Sequence, residues 1–355
     1  MSDSRIVNCH VHSFTAAHVP RDYPHWALRP FKMFPFILRW MAALLRLIGQ
    51  HGLAAMVERL HRFQTEAMRG SQAEVLDRVI PHYPGGTRFV VLPMDMSCTG
   101  HGPVERDLEA QLAELRDLRD DPRFGGGIVP FVSVDPRRPG AGALVRRWIE
   151  DEGFRGLKLY PRLGYPPDHP VLMQEVYPLI AARGLPVMTH CSRGGVAGRG
   201  LAVAQADAWS APLAWMPIRD RFPDLRVCLA HFGGMADWRA YVEEGIDPRD
   251  PEARAANWQV AIRSMIEGGD WPNLWTDIAY TLFQFDDFIP FLKIFLEDDR
   301  LASRVLFGSD FYMTRQESLS ERAVCFRLRV ALGEAMFRRI AIENPRVWLG
   351  EAGAL

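Results

Sequence analysis

Histidine, lysine and aspartate residues end short apolar segments throughout this 355-residue sequence, and together they could bind a metal ion. His10 and His12 end the first such segment, and Asp310 ends the last. Alternate residues of a β-strand point to the same side, so His10 and His12 can hold one ion. Imidazole and carboxylate ligands together suit zinc, manganese, iron or nickel. Three further residues lie in or at the ends of other segments: Lys158, His190 and His231.

Each of these residues alone has an ordinary structural explanation. A histidine at a strand end is often a hydrogen-bonded polar group, and Asp310 after Gly-Ser could cap a helix. Lys158, within an apolar run, could be an ion-pair partner. However, a buried polar group must be paired or ligated. Because five or six such residues gather at the same end of several segments, the sequence predicts a metal site.

Eight short apolar segments hold these residues or lie between them, and we interpret each as a β-strand. They are Ile6–His12, Arg88–Met96, Ile128–Asp135, Gly156–Pro161, Pro186–Cys191, Arg226–Phe232, Leu274–Tyr280 and Arg304–Phe311. Most are continuous apolar runs, which is typical of parallel strands buried on both faces. The segments between them, including Glu105–Asp120, Ala143–Glu152 and Val171–Arg183, have helical patterns.

Eight β-α units predict an α/β fold, a (β/α)8 barrel of the TIM type. A doubly wound sheet is the alternative, but no GxGxxG motif follows the first strand. In a barrel the carboxyl ends of all strands meet at one mouth. The first and last strands are then neighbours, so His10 and Asp310 can meet.

Two connections are longer than a plain βα unit requires. We interpret residues 1–355 as a single barrel with insertions at 13–87 and 233–273, both on the C-terminal face, as a lid or an oligomer contact. Within the first insertion, residues 31–48 are strongly apolar. Arg39 and Arg46 interrupt this stretch, and each would cost about 2.5–3.5 kcal/mol at a bilayer centre. We therefore expect helices packed on the protein rather than a membrane protein, with a surface-bound helix as the alternative.

The composition limits the partners. The formal net charge is -1, which removes the electrostatic argument for nucleic acid. The five cysteines are widely spaced and form no CxxC motif, so we expect a reducing cytoplasm rather than a disulfide framework. The polar N-terminus shows no signal-peptide pattern. These features favour a cytoplasmic enzyme that acts on a small molecule.

The ordered set of motifs resembles the amidohydrolase superfamily of metal-dependent barrels, in particular its amidohydrolase-related branch. The resemblance extends from the first histidines to residues 344–350, which look like the closing helix of that family. It implies a homodimer and a bound divalent metal. The metal ligands implied by the resemblance are His10, His12, His190 and Asp310, with His231 as a ligand of a second ion or as a catalytic acid/base.

Lys158 separates two versions of that site. In dihydroorotase-like members a lysine in a similar strand is carboxylated and bridges two ions, and in decarboxylase-like members one ion suffices. The run from Lys158 to Pro161 favours two ions, joined by a carboxylated Lys158. Zinc is the expected ion, with manganese, iron and nickel as alternatives.

The expected activity is hydrolysis of a C–N or C–O bond in an amide, lactam, lactone or ester. Metal-bound water would be the nucleophile and Asp310 the general base. The alternative is a non-oxidative decarboxylase, or a hydratase, of an aromatic or unsaturated carboxylic acid. That reaction would use one ion, with His231 or Asp310 as the acid/base.

Four residues near the predicted mouth are candidates for substrate binding. Arg162 follows the fourth strand, and Arg193 lies in a glycine-rich loop over residues 192–200. Arginine side chains suit carboxylate groups, so both could bind an acidic substrate. Tyr160 could supply an aromatic wall, and His101 follows the second strand, where it could face the substrate.

Overall fold

A computed structural model describes residues 5–26, 31, 34, 36–279, 285–317 and 319–351, and this part of the chain contains nine short strands. They are β1 (Val7–Val11), β2 (Arg88–Val91), β3 (Ile128–Pro130), β4 (Val132–Ser133), β5 (Leu157–Leu159), β6 (Val187–Thr189), β7 (Val227–Leu229), β8 (Leu274–Asp277) and β9 (Val305–Leu306). Within two groups, β1–β3 and β4–β9, each strand pairs in parallel with the next in chain order. Each of the eight predicted strands is found, although each is shorter than predicted.

The third predicted strand, Ile128–Asp135, is divided at Phe131 into β3 and β4. The Phe131 N–H donates to the Val91 carbonyl oxygen at 3.1 Å, on the β2 side. The next N–H, of Val132, donates to the Gly156 carbonyl oxygen at 2.9 Å, on the β5 side. The two segments therefore act as one strand position that joins the two groups of strands.

The first and last strands also meet. The Cys9 N–H donates to the Phe307 carbonyl oxygen, and the Asp310 N–H donates to the His10 carbonyl oxygen, each at 2.9 Å. A side chain at Gly308 would place its Cβ 2.6 Å from the Cβ of His10, so glycine permits this close approach. The eight strand positions thus form the predicted (β/α)8 barrel of the TIM type.

Helices lie between the strands, as the βα repeat requires. The described α-helices are α1 (Phe36–Leu47), α2 (His51–Ala67), α3 (Gln72–Val79), α4 (Leu108–Asp120), α5 (Ala141–Glu150), α6 (Tyr177–Ala182), α7 (Val203–Ser210), α8 (Met216–Arg221), α9 (Met235–Glu244), α10 (Pro251–Ala256), α11 (Trp258–Gly268), α12 (Phe285–Phe295), α13 (Asp299–Ala302), α14 (Phe311–Gln316), α15 (Glu321–Leu332), α16 (Glu334–Arg338) and α17 (Asn344–Trp348). The predicted helix Glu105–Asp120 begins later, at Leu108, because Asp107 caps it by accepting the Ala110 N–H. The predicted helix Val171–Arg183 begins with a π-helical turn over Leu172–Val176.

Two apolar clusters hold the barrel together. The larger lies between the strands and the surrounding helices, and it includes Leu157, Leu159 and Leu229. The smaller contains Cys9, Met188, Cys228 and Trp275, with Trp348 of α17. Its members face residues from other strands, because parallel strands alternate their side chains between the two sides of the barrel wall.

The connection from β1 to β2 is largely helical. Helices α1 and α2 form a hairpin that packs through Leu38, Ala42 and Val57. Further along α2, the Phe63 and Tyr312 rings lie 5.3 Å apart, and Arg62 Nε donates to the Gln316 carbonyl oxygen at 2.8 Å. The hairpin is therefore attached at this end to α14. In the described ranges no helix has the combined length and apolarity that crossing a membrane demands.

Candidate metal centre

Three predicted ligands meet at the mouth of the barrel. His10, His231 and Asp310 are buried, and one ligand atom from each lies within 4.8 Å of the other two. His10 comes from β1, where the pairing register with β2 shifts between Asn8 and Val11. Bulges of this kind redirect side chains beside active sites. Donor atoms this close together can share one ion.

His10 and His12 present facing nitrogen atoms. Nδ1 of His10 lies 2.8 Å from Oδ2 of Asp277, and Nδ1 of His12 lies 2.7 Å from the Leu92 carbonyl oxygen. Both acceptors require the hydrogen on Nδ1, which leaves a lone pair on each Nε2. The two Nε2 atoms are 3.3 Å apart. Two lone pairs at this distance repel unless a cation lies against them.

The same arrangement recurs at the next two histidines. Nδ1 of His231 lies 3.2 Å from the Ala279 carbonyl oxygen, and Nε2 of His190 lies 3.1 Å from the Ser192 carbonyl oxygen. The remaining nitrogens, His190 Nδ1 and His231 Nε2, are then both acceptors, and they lie 3.1 Å apart. Among the described residues, the ligand atoms that all lie close together belong to His10, His231 and Asp310, a donor set that fits a divalent metal ion. His12 and His190 each place an acceptor nitrogen beside one of these two histidines.

Asp277 is a functional candidate that sequence reasoning missed. Its Oδ2 accepts from His10, and its Oδ1 accepts the backbone N–H groups of His231 at 2.8 Å and Ala279 at 3.1 Å. One buried carboxylate therefore orients two candidate ligands, a common role for acids behind metal-binding histidines. The available signal was its position: it lies within the seventh predicted strand, Leu274–Tyr280, and it is the last residue of the observed strand β8.

The Asn8 side chain connects β1 to the segment that leads to Asp310. Its Oδ1 accepts the N–H groups of His10 at 3.2 Å and Ser309 at 3.1 Å. Its amide donates to the Tyr83 hydroxyl at 2.9 Å, and that hydroxyl donates to Glu321 at 2.5 Å. This buried network holds β1 against the residue that precedes Asp310.

Strained backbone is concentrated at the same place. Among the described residues other than glycine, His231, Phe232 and Asp310 have positive φ angles of 69°, 46° and 51°. Side chains with a Cβ avoid this region, which costs of order 1–3 kcal/mol per residue. Two of the three residues are candidate ligands, so the fold holds these side chains in unfavourable conformations to bring them to the mouth.

Burial keeps the histidines neutral. It lowers the pKa of His231 to about 3, helped by the nearby His10, and it lowers the pKa values of His10, His12 and His190 well below their usual range. Desolvation of the charged imidazolium is the main cause in each case. Only a neutral imidazole can ligate a metal, so this environment prepares the site for binding.

Asp310 and Lys158 are shifted in opposite directions. Burial raises the pKa of Asp310 to about 7, although the positive charge of Lys158 opposes the shift. Burial lowers the pKa of Lys158 to about 8, against the attraction of Asp277 and Asp310. Within the described residues, Lys158 Nζ is buried without a hydrogen-bond partner. Such an amine needs compensation, which the two carboxylates supply through space.

Tyr160 and His101 both contact the glycine-rich loop. The Tyr160 ring stacks on His190 with centroids 4.2 Å apart, and its hydroxyl accepts the Val196 N–H at 3.2 Å. Gly195 has a φ of +93°, and a Cβ there would collide with the Tyr160 hydroxyl, so the glycine-rich loop can close over this ring. His101 Nε2 lies 3.3 Å from the carbonyl oxygen of Ala197 in the same loop.

The two predicted substrate arginines already have acidic partners. Arg162 is buried and pairs with Asp207, but its Nε has no hydrogen-bond partner in the described part of the chain. Arg193 pairs with Asp237 at 2.9 Å, and its guanidinium lies 4.6 Å from the centre of the Trp258 ring. These contacts account for Arg193 without a substrate, because they fasten the glycine-rich loop to the insertion at 233–273.

Solved structures with this fold include aromatic-acid decarboxylases. The 2,6-dihydroxybenzoate decarboxylase from Rhizobium is 16% identical, with a TM-score of 0.54, covering 82% of this chain and 91% of that chain. The 5-carboxyvanillate decarboxylase from Sphingomonas paucimobilis is 12% identical, with a TM-score of 0.54, covering 98% and 99%. A 5-carboxyvanillate decarboxylase from Novosphingobium aromaticivorans, complexed with manganese, is 12% identical, with a TM-score of 0.57, covering 98% and 96%. At these identities the likeness establishes the fold.

A family model matches almost the whole sequence. A search of curated proteins gave no match. The family model described as "Amidohydrolase", in contrast, matches residues 8–350, which include every candidate ligand and all the strands except the first residue of β1. This chain therefore belongs to the amidohydrolase family.

Proposed function

We propose that this protein is a metal-dependent, non-oxidative decarboxylase of an aromatic carboxylic acid. The observation that carries the proposal is the group of close donors, His10, His231 and Asp310, which is the one such group found among the described residues. One ion is enough for decarboxylation. Decarboxylases of this fold bind manganese and act on hydroxylated benzoic acids, by their names and ligands. This departs from the hydrolase that the sequence favoured, and it agrees with the alternative.

The proposed ligands surround the mouth. We assign the ion to His10, His231 and Asp310, and we propose His12 and His190, whose acceptor nitrogens adjoin those histidines, as further ligands. When bound, a divalent ion supplies a Lewis acid for the carboxylate and the neighbouring oxygen of the substrate. Manganese has the support of the named decarboxylases, and zinc, the ion expected from the sequence, is compatible with the same histidine and carboxylate donors.

Decarboxylation also requires a proton at the carbon that loses carbon dioxide. Asp310 suits this role because a carboxyl group beside the ion can carry a proton, and in the metal-free protein burial raises its pKa to about 7. His231, with a pKa of about 3, carries no proton to donate near neutral pH. We therefore assign proton delivery to Asp310, and we assign His231 only as a ligand of the ion.

Three residues are proposed to orient the substrate. The buried Arg162 has a free Nε that can donate to a carboxylate or a phenolate oxygen. Tyr160 presents an aromatic ring, and His101 approaches from the loop that follows β2. An acidic aromatic ring matches these groups better than a neutral amide does.

The experiment is a carbon dioxide assay on the purified, metal-loaded protein. The chain is stripped of metal, loaded with Mn²⁺ or Zn²⁺, and incubated with 2,6-dihydroxybenzoate, 5-carboxyvanillate and related hydroxybenzoates. We expect metal-dependent release of carbon dioxide from at least one acid, and about one equivalent of metal per chain. The Asp310→Asn variant is the control for turnover at the site.

Hydrolysis is the second candidate, and Lys158 is the observation that favours it. Its buried, unpaired Nζ stands where a carboxylated lysine could bind a second ion. Hydrolysis of lactones or amides without carbon dioxide release, together with two equivalents of metal, would reject the decarboxylase and support the hydrolase.

A further inference from the structure

The α1–α2 hairpin exposes an unusual number of large apolar side chains. We name six of them the apolar stripe: Phe36, Trp40, Leu44, Leu47, Leu53 and Met56. Trp40 is 74% exposed and Leu47 is 84% exposed. Scattered exposed leucines are normal, but six large exposed apolar side chains within one hairpin mark a place where something binds.

The spacing shows that this surface is a second face of the hairpin. Phe36, Trp40, Leu44 and Leu47 recur every three or four residues, so they lie along one side of α1. The buried contacts within the hairpin use different residues of α1, including Leu38 and Ala42. The apolar stripe is therefore additional to the packing that stabilises the hairpin.

The same segment is basic. Residues 26–65 contain six lysines and arginines but one acidic residue, Glu58, in a chain whose net charge is -1. Glu58 is shared by Arg46, at 2.8 Å, and Arg62, at 3.9 Å. Arg59 pairs with Glu317 of another segment. An excess of positive charge thus accompanies the apolar stripe.

This charge decides between two occupants. A second copy of the chain would bring an identical basic face against the first, because a two-fold contact pairs a surface with itself. Like charges would then oppose the association. The phosphates of an anionic lipid surface have the complementary charge, and each lysine or arginine near such a surface contributes to binding.

The hairpin is attached to α14 near the end of α2 that is opposite its apolar turn. Its contacts with α14 and the residue after it involve Arg59, Arg62 and Phe63 in the second half of α2. At about 1.5 Å per helical residue, His51 at the start of α2 lies about 12 Å along the helix from Arg59. Leu47 and Leu53 flank the turn at that outer end.

We propose that the α1–α2 hairpin docks this protein onto a membrane surface rich in anionic phospholipids. The apolar stripe enters the boundary between headgroups and acyl chains, and the arginines contact lipid phosphates. Amphipathic helices with tryptophan, phenylalanine and leucine on one face and arginine on the other bind membranes in this way, without crossing them. The proposal is independent of the reaction that the barrel performs.

The test is co-sedimentation of the full chain with vesicles. One set contains phosphatidylcholine alone, and the other also contains about 30 mol% phosphatidylglycerol. We expect binding to the anionic vesicles that weakens in high salt. The Leu44→Glu/Leu47→Glu variant should lose binding by about tenfold or more, since it places charges in the inserted face.

A matched control is available on α15. Phe326 and Val330 are exposed apolar residues outside the hairpin, and Val330 is 86% exposed. The Phe326→Glu/Val330→Glu variant carries the same change of charge and should bind anionic vesicles like the unmodified protein. Circular dichroism melting of both variants checks that they fold.

Three outcomes would overturn the proposal. The first is failure of the unmodified protein to bind anionic vesicles. The second is an equal loss of binding in the hairpin and α15 variants. The third is a dimer by light scattering that the hairpin variant alone converts to monomer, without vesicle binding, which would assign the surface to a second copy.

Discussion

Replacing Asp277 by asparagine tests how the candidate ligands are oriented. Oδ2 of Asp277 accepts from Nδ1 of His10 at 2.8 Å, and Oδ1 accepts the N–H groups of His231 and Ala279. Asparagine keeps the shape of the side chain and can keep both Oδ1 contacts. Its NH2 group, however, would then stand where Oδ2 accepts from His10. Two donors would meet there unless His10 moves its proton from Nδ1 to Nε2.

That change of tautomer removes the lone pair that His10 directs toward the ion. Loss of a carboxylate behind a metal-binding histidine costs about 10–100-fold in metal affinity, which is about 1.4–2.7 kcal/mol. We expect this loss for Mn²⁺ or Zn²⁺ added to the metal-free Asp277→Asn variant, measured by titration calorimetry. Circular dichroism melting of the metal-free variant shows whether the barrel is retained.

Asp237 offers a matched control for the same substitution. It is also a buried carboxylate, and it accepts from Arg193 at 2.9 Å and from the Trp258 N–H at 2.7 Å. It contacts the glycine-rich loop and the second insertion through these groups. Asp237→Asn should therefore reduce stability and leave metal affinity nearly unchanged. Equal metal affinity in Asp277→Asn and the unmodified protein would refute the assigned role of Asp277.

Three other predictions concern the barrel mouth and the first insertion. Asp310→Asn should abolish carbon dioxide release while retaining the melting temperature of the metal-free protein, and near-normal turnover would contradict its role in proton delivery. Lys158→Met should still bind one equivalent of metal by elemental analysis, whereas complete loss of metal would show that Lys158 itself holds the ion. Burial lowers the pKa of His18 from 6.5 to about 4, and the positive charge of Arg106 adds to this effect. The contribution of His18 to stability is therefore complete above pH 6.5 and is lost as the pH falls toward 4. Between pH 7 and pH 5 this loss lowers the free energy of unfolding by about 2 kcal/mol, and the His18→Gln variant should lack that decrease when unfolding is measured in urea. The same decrease in the variant and in the unmodified protein would contradict this.

The barrel could be predicted because its strands are apolar on both faces. Parallel strands buried this way form continuous apolar runs, and the polar residues at their ends mark the mouth. His10 and Asp310, far apart in sequence, are brought together by the closure of the first strand against the last. Exact strand bounds could not be predicted, because many side chains beyond the paired segments remain buried.

Other parts of the site depend on contacts that sequence patterns do not show. Asp277 matters because its two oxygens face His10 and His231, and no local pattern reveals that geometry. Arg193 looked available to a substrate, but Asp237 and Trp258 approach it from another segment. Both features depend on which residues distant in sequence become neighbours, and that is decided by the packing of whole elements.

The attachment of the hairpin to the barrel has a consequence for communication within the molecule. The Phe63 ring contacts Tyr312, Tyr312 stacks on Phe14 at 5.0 Å, and Phe14 lies 5.6 Å from His12. Packed rings transmit displacement because the interior leaves them little free space. If His12 binds the proposed ion, a ligand that shifts the hairpin would alter the affinity of the site for that ion. Thermodynamic linkage then requires the ion to alter the affinity of the hairpin for that ligand by the same factor.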